Sequence, residues 1–203
     1  MRRLVSAIAI LSLVPAVAWA QTQKPALIGE DGGLQERGLA RVLYWNPRQD
    51  TAHGQFAIDY GRPAWKKDYD DPAKFDQLTK GKVWRLGSNF WTALDTQLPL
   101  KIGARNVSAG YYYLGLRRSA DGATWSLVFI DPSKVRSARL DAFQIERAPV
   151  EFEIPMTVEQ GKGSSEKLTL TLSYAKETPK DVKLTIAWGK LQLSAPIQVT
   201  VGT

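Results

Sequence analysis

The chain contains no cysteine and a single histidine, His53, among its 203 residues. The absence of cysteine excludes disulfide bonds, thiolate metal ligands and a cysteine nucleophile. One histidine excludes zinc sites built on two histidines and leaves a single imidazole for any catalytic triad. His53 precedes a predicted strand within Asp50–Gly54, a position more typical of a turn or surface residue than of a general base.

The short sequence motifs of the common enzyme classes are also missing. The chain has no nucleophile elbow, no zinc-protease motif, no P-loop and no dinucleotide-binding glycine motif. Its densest acidic stretch, Asp68–Asp71, lacks the glycine and the distal glutamate of a calcium loop. The sequence therefore predicts no catalytic residues, no metal site and no cofactor.

The formal charge of +7 is scattered over the sequence, from 27 Lys and Arg against 20 Asp and Glu. Scattered charge indicates a solvated surface rather than a basic patch that binds nucleic acid. The 44% hydrophobic and 23% charged residues are typical of a globular protein and argue against disorder. We therefore expect no nucleic-acid partner.

The first twenty residues have the pattern of a secretory signal peptide. Arg2 and Arg3 form a positive start, residues 4–14 are almost wholly apolar, and Ala18-Trp19-Ala20 is a cleavage site. The apolar run is too short for a membrane anchor, which needs about 20 residues. We expect cleavage after Ala20, no transmembrane segment after cleavage, and a location in the periplasm or outside the cell.

Apolar residues recur at every second position through the rest of the chain. The runs 150–158, 168–174, 182–188 and 191–201 each place apolar side chains on one parity and polar ones on the other. This period indicates antiparallel strands with one buried face. We predict an all-β antiparallel sandwich or jelly roll of about nine strands, forming one domain over residues 46–203.

Other segments are less regular. Residues 21–45 contain several glycines and are expected to form a flexible lead-in. Residues 34–43 and 70–80 are candidates for short helices, and 134–147 is ambiguous between helix and strand.

Three consecutive tyrosines lie on a predicted strand that starts at Gly110. Alternation places Tyr112 in the core and leaves Tyr111 and Tyr113 on the opposite face. Two flat rings about 7 Å apart suit stacking on a sugar ring or a peptide. Alternatively, another segment covers this face, for which residues 62–80 are a candidate.

Four motifs follow one another along the chain: Ile58–Pro63 (IDYGRP), Gly81–Asn89 (GKVWRLGSN), Lys101–Gly103 with Ala109–Tyr112, and Ile186–Lys190 with Ala195–Ile197. This ordered set resembles the bacterial domain of unknown function 2911 family over about residues 46–200. The stretch between Pro63 and Gly81 departs from that family, because its usual F-G-x-x-V-P-Y segment is missing. The family has no assigned activity, so the resemblance implies an exported, mostly β architecture and no catalytic residues.

Two of these motifs supply the candidate binding site. They combine flat rings, guanidinium groups and an amide at strand ends, which suits a small anionic or saccharide ligand. The alternative is a structural role, in which the rings are core and the arginines cap backbone carbonyls. The candidate residues are Tyr60, Arg62, Trp84, Arg85 and Asn89.

The sequence thus favours an exported soluble protein that is a non-catalytic ligand-binding or envelope-associated β-sandwich module. The alternative is a hydrolase of the esterase or glycosidase type that uses carboxylates from separate strands. Asp59 and Asp95 are the candidates for such a pair.

Overall fold

The computed structural model describes Gly29, residues 36–160 and residues 164–202. The predicted signal peptide, residues 1–20, and the lead-in up to residue 28 lie outside the described residues, as do residues 30–35. None of the helices in the part of the chain that the structure describes is long and apolar enough to span a bilayer.

The described residues contain twelve strands and only short helices, which confirms the predicted all-β class. About nine strands were expected, and three of the twelve have only three residues each. The strands are β1 (Arg37–Asn46), β2 (Thr51–Gly61), β3 (Val83–Arg85), β4 (Thr92–Thr96), β5 (Leu100–Ile102), β6 (Arg105–Val107), β7 (Gly110–Arg118), β8 (Trp125–Ile130), β9 (Val150–Val158), β10 (Ser165–Tyr174), β11 (Asp181–Gly189) and β12 (Leu191–Val199).

The helices are α1 (Pro72–Thr79), α2 (Pro132–Ser137) and the 3-10 helices Lys67–Asp70 and Ala142–Arg147. The helix predicted within 70–80 is α1, which begins where the Asp71 carboxylate accepts the backbone N–H of Ala73 and Pro72 occupies the first helical position. The ambiguous segment 134–147 holds most of α2 and the second 3-10 helix.

All neighbouring strands pair antiparallel in the order β1-β2-β4-β7-β8-β9-β12-β11-β10. The chain that leaves β2 then runs beside β10. Leu168 donates its backbone N–H to the Pro63 carbonyl at 3.0 Å, and Trp65 donates to Glu166 at 2.6 Å. Residues 62–65 thereby connect the β2 and β10 parts of the sheet, and this arrangement is consistent with the predicted sandwich.

The large core lies between the two halves of the sheet. Alternate residues of the strands fill it, as predicted for Trp125, Leu127 and Phe129 of β8. A fully buried Leu, Ile or Phe side chain stabilises the fold by about 1.5–3 kcal/mol. A second, smaller cluster lies on the opposite face of β7 and β8, where α2 and the second 3-10 helix contribute Val135 and Ile145.

The start of the domain differs from the prediction. Residues 37–43, within the segment predicted as a short helix, form a strand instead, and the chain is not a flexible lead-in up to residue 45, because β1 begins at Arg37. Ala40 and Val42 are buried at alternate positions, with Tyr44 partly buried on the same parity. Pairing with β2 over its whole length fixes this strand. The intervening leucines and arginine, which are exposed, obscured the period of two in the sequence.

Candidate functional site

Tyr60, the first predicted site residue, is buried in the large core at the end of β2. Its hydroxyl oxygen accepts the Leu170 backbone N–H at 3.0 Å and donates to the Leu170 carbonyl oxygen at 3.4 Å. This side chain therefore joins β2 to β10 across the core, and its polar end is fully used.

Arg62 follows β2 and contacts the same strand. Its Nε donates to the Leu168 carbonyl oxygen at 3.2 Å, and its two Nη atoms reach Thr169 Oγ1 at 3.3 Å and Glu36 Oε1 at 2.9 Å. Glu36 also binds Lys167 Nζ, and this hydrogen bond is the main reason why the pKa of the Glu36 carboxyl lies below its ordinary value. The guanidinium group thus caps backbone and side-chain oxygens of β10.

Trp84 and Arg85 are neighbours on β3, so strand alternation sends them to opposite faces. Trp84 packs in the large core against Trp188, with ring centroids 5.3 Å apart. Arg85 lies on the other face, where its guanidinium carbon is 3.8 Å from the centroid of the Phe143 ring. Burial lowers the pKa of Arg85, and the Asp141 carboxylate opposes that shift.

Asn89 lies close to Arg85, because its backbone oxygen accepts Arg85 Nη1 at 3.3 Å. Its φ of 65° is left-handed, a conformation that asparagine tolerates better than most residues. The five predicted site residues therefore do not line one cavity. Tyr60 and Arg62 contact β10, Trp84 belongs to the core, and Arg85 and Asn89 lie on the opposite side of β3.

Glycine is required at two positions of the same two motifs, because the backbones approach each other closely there. Gly61 faces the backbone of Ser88 so closely that a Cβ atom would collide with it. Gly87 has a φ of 144° and approaches the backbone of Gly61. The two motifs thus meet backbone to backbone, which only residues without a side chain permit.

A groove that combines rings and charges lies on the outward face of β2, β4 and β7. The register of the three strands places Asp59 of β2 opposite Ala93 of β4, and Ala93 opposite Tyr113 of β7. The outward side chains of these residues therefore form one row across the sheet. The groove has a volume of about 290 Å³. Its side chains include Arg37, Asp59, Phe90, Trp91, Tyr111 and Tyr113.

The aromatic rings of this groove pack on one another and differ in how far they are exposed. Trp91 and Tyr113 are stacked, with centroids 4.8 Å apart and planes 10° apart. Tyr111 meets Tyr113 edge to face at 5.9 Å and remains 47% exposed. As predicted, Tyr112 faces the core while Tyr111 and Tyr113 face outward. The partial cover on Tyr113 comes from Trp91 and the second cluster, not from residues 62–80.

One ion pair lies beside these rings. Arg37 Nε is 2.9 Å from Asp59 Oδ1, and the Arg37 guanidinium carbon lies 5.9 Å from the centroid of the exposed Phe90 ring. Arg37 Nη1 is buried and has no hydrogen-bond partner among the described residues. Burial, with Tyr113 and Asp59 nearby, raises the pKa of Tyr111 above its ordinary value of 10.0. The Tyr111 hydroxyl is therefore a neutral donor at physiological pH.

The sequence interpretation missed Arg37, Phe90 and Trp91. Arg37 stood in the segment interpreted as lead-in, although the alternation of Ala40 and Val42 was a signal for a strand there. Phe90 and Trp91 come just before β4, and no local pattern shows that they flank Tyr113. Within residues 36–160 and 164–202, no three histidine or acidic side chains are grouped so as to hold a metal ion.

The fold and the groove define an all-β protein that presents aromatic and charged side chains on the outward face of its sheet. The family model described as "Protein of unknown function (DUF2911)" matches residues 46–197, and the chain belongs to this family. No curated protein and no solved structure matches the chain. The match includes Asp59, Tyr111 and Tyr113, whereas Arg37 lies before it.

Proposed function

We propose that this protein is a non-catalytic binding module, and that the groove on the outward face of β2, β4 and β7 binds a saccharide. The observation that carries the proposal is the half-exposed Tyr111 ring in one groove with the Arg37–Asp59 ion pair. Small-molecule sites commonly combine apolar surfaces with a few polar groups that fix orientation.

Each part of the groove matches a part of a sugar. The C–H face of a pyranose ring packs on a flat aromatic side chain such as Tyr111 or Phe90. Neighbouring hydroxyl groups donate to the Asp59 carboxylate and accept from the Arg37 guanidinium, and such charge-assisted hydrogen bonds are stronger than neutral ones. An anionic sugar would gain further from Arg37, whose planar guanidinium recognises carboxylates.

The test is calorimetric titration with a panel of neutral and acidic oligosaccharides. We expect Tyr111→Ala to weaken binding of the best ligand by about ten-fold or more, equivalent to about 1.4 kcal/mol. The matched control is Tyr174→Ala, because Tyr174 is 50% exposed on β10 and does not line the groove. Equal affinity loss in both variants, or no binding across the panel, would contradict the proposal.

A hydrolase is the second candidate, and the register of β2 and β4 favours it. Asp59 lies opposite Ala93 and Asp95 lies two residues further along β4, so the two carboxylates are outward diagonal neighbours. Diagonal neighbours are about 7–8 Å apart at the backbone, so their side chains can place two carboxyl groups at the roughly 6.5–9.5 Å found in inverting glycosidases. Turnover of aryl glycosides or aryl esters that Asp59→Asn and Asp95→Asn both abolish would establish catalysis and overturn the binding-only proposal.

We also propose that the module acts in the periplasm or outside the cell. The support is the signal-peptide pattern of residues 1–20. N-terminal sequencing of the protein from the periplasmic fraction is expected to begin at Gln21. A start at Met1 on membrane-bound material would contradict this location.

A further inference from the structure

A second cavity lies beside α1, away from the groove. It has a volume of about 150 Å³ and is lined by Tyr69, Phe75, Leu78, Thr79, Trp84 and Trp188. Four of these six side chains are aromatic, and none carries a charge. Tyr69, Phe75, Leu78 and Thr79 come from the stretch between Pro63 and Gly81, where the sequence departs from the family pattern. Trp84 of β3 and Trp188 of β11 complete the lining.

The rings around the cavity pack on one another and hold its shape. Trp188 lies 5.1 Å from Tyr69 and 5.3 Å from Trp84, measured between ring centroids. Trp65 packs on two of these rings, 5.3 Å from Tyr69 and 5.0 Å from Trp188. Its ring lies on Gly189, where a Cβ atom would collide with it.

Polar contacts fix the helical wall of the cavity. Arg118 Nη1 binds Asp76 Oδ1 at 2.6 Å and Thr79 Oγ1 at 3.0 Å, and Lys80 Nζ binds Asp76 Oδ2 at 2.7 Å. Thr79 also donates its hydroxyl to the Phe75 carbonyl at 2.7 Å. These contacts anchor α1 to β7, so the cavity is formed before any ligand arrives.

The size and the lining define the class of ligand. A cavity of about 150 Å³ lined by apolar side chains accommodates one benzene ring. Stacked or edge-to-face contacts with four surrounding rings add to the gain from apolar burial. The lining provides no charge to pair with an ionic ligand.

A cationic ligand is disfavoured although aromatic cages bind quaternary ammonium groups. The Arg118 guanidinium carbon lies 5.6 Å from the centroid of Phe75 and 5.5 Å from that of Trp125, so a cation already contacts one of the lining rings.

We propose that this cavity binds an uncharged ligand that carries a single aromatic ring. The site is independent of the groove, because the two share no lining residue. The probe is phenol, titrated against the purified protein by saturation-transfer NMR and by the rise in melting temperature. We expect saturable binding of phenol and no binding of tetramethylammonium at equal concentration.

Leu78→Trp is the variant that fills the cavity. Leu78 lines it and is 49% exposed, so a larger side chain there does not disturb the core. We expect the apparent affinity for phenol to fall by about ten-fold or more while the melting temperature of the free protein stays unchanged. The matched control is Leu43→Trp on the outward side of β1, where Leu43 is 41% exposed.

Three results would overturn the proposal: no saturable phenol binding to the unaltered protein, equal loss in the two leucine variants, or tighter binding of tetramethylammonium than of phenol. Failure here leaves the groove untouched, because Tyr111→Ala reports on saccharide binding alone.

Discussion

The outward face of β2, β4 and β7 uses aromatic and charged residues differently from the side where residues 62–65 meet β10 and β11. On the β10 side, the Tyr60 hydroxyl hydrogen-bonds the backbone of Leu170 and Arg62 donates to the Leu168 carbonyl, while Trp188 donates its indole N–H to the Pro63 carbonyl at 3.0 Å. On the outward face, Tyr111 and Phe90 remain exposed beside an open ion pair.

This difference shows how residues that stabilise the fold can be distinguished from candidate binding residues of the same types. A ring surrounded by other side chains contributes to the free energy of unfolding, because its removal leaves a cavity. An exposed ring contributes little to stability and remains free to contact a ligand. The candidate site is therefore identified by groups whose interactions are incomplete in the folded protein.

Trp188→Ala gives the largest expected effect on this comparison. Trp188 is buried and contacts three other rings, so its removal should lower the free energy of unfolding by about 3–5 kcal/mol. Urea denaturation measures the change. Trp45→Ala, at a half-exposed tryptophan on β1, is the control and should change stability by only about 0.5 kcal/mol. Similar losses at both tryptophans would break the distinction.

Arg62 and Arg37 form a matched pair with an intermediate effect. Each guanidinium pairs with one carboxylate at 2.9 Å. Arg62 also donates to the Leu168 carbonyl at 3.2 Å and to Thr169, whereas Arg37 adds only a long contact of 3.5 Å to the Trp91 carbonyl. Arg62→Ala leaves the Leu168 carbonyl without this donor and should lower the free energy of unfolding by about 1–3 kcal/mol. Arg37→Ala removes a partly exposed ion pair and should cost about 0.2–1 kcal/mol.

Saccharide titration sharpens this second test, since Arg37→Ala should weaken binding and Arg62→Ala should not. A larger stability loss at Arg37 than at Arg62 would assign Arg37 to the scaffold. The assignment of the groove would then lose its main polar group.

More of the fold than of the candidate site can be predicted from the sequence. Alternation alone assigned Tyr112, Tyr113 and the β8 residues to their faces, because a strand fixes the direction of each side chain locally. The same rule applied to β3 separates Trp84 from Arg85. A single site containing both was therefore in conflict with the strand pattern, and binding by the five predicted residues remains a prediction.

The groove itself depends on non-local geometry. Arg37 reaches Asp59 because β1 pairs with β2, and Trp91 stacks on Tyr113 because β4 pairs with β7. Each contact joins residues more than twenty positions apart, so no local period or motif contains the information. The cavity beside α1 has the same origin, because its rings come from α1, the 3-10 helix Lys67–Asp70, β3 and β11.

Protonation of Asp76 in acid is expected to have the smallest effect on stability. It tests whether the charge of this carboxylate holds α1 against β7. Hydrogen bonds from Lys80 and then from Arg118 hold the pKa of Asp76 below its ordinary value of 3.8. A lowered pKa in the folded state means that this carboxylate stabilises the protein above pH 3.8. The contribution is lost as the pH falls through the lowered pKa, because the folded protein must then take up a proton. Asp76→Asn should therefore be less stable than the unaltered protein at about pH 6, and the difference should narrow when the pH is taken below 3.8. Urea denaturation at both pH values measures the difference, with Asp95→Asn, an exposed carboxylate on the outward face, as the control. A difference at Asp76 that stays constant with pH, or grows in acid, would show that the anchor of α1 does not depend on the carboxylate charge.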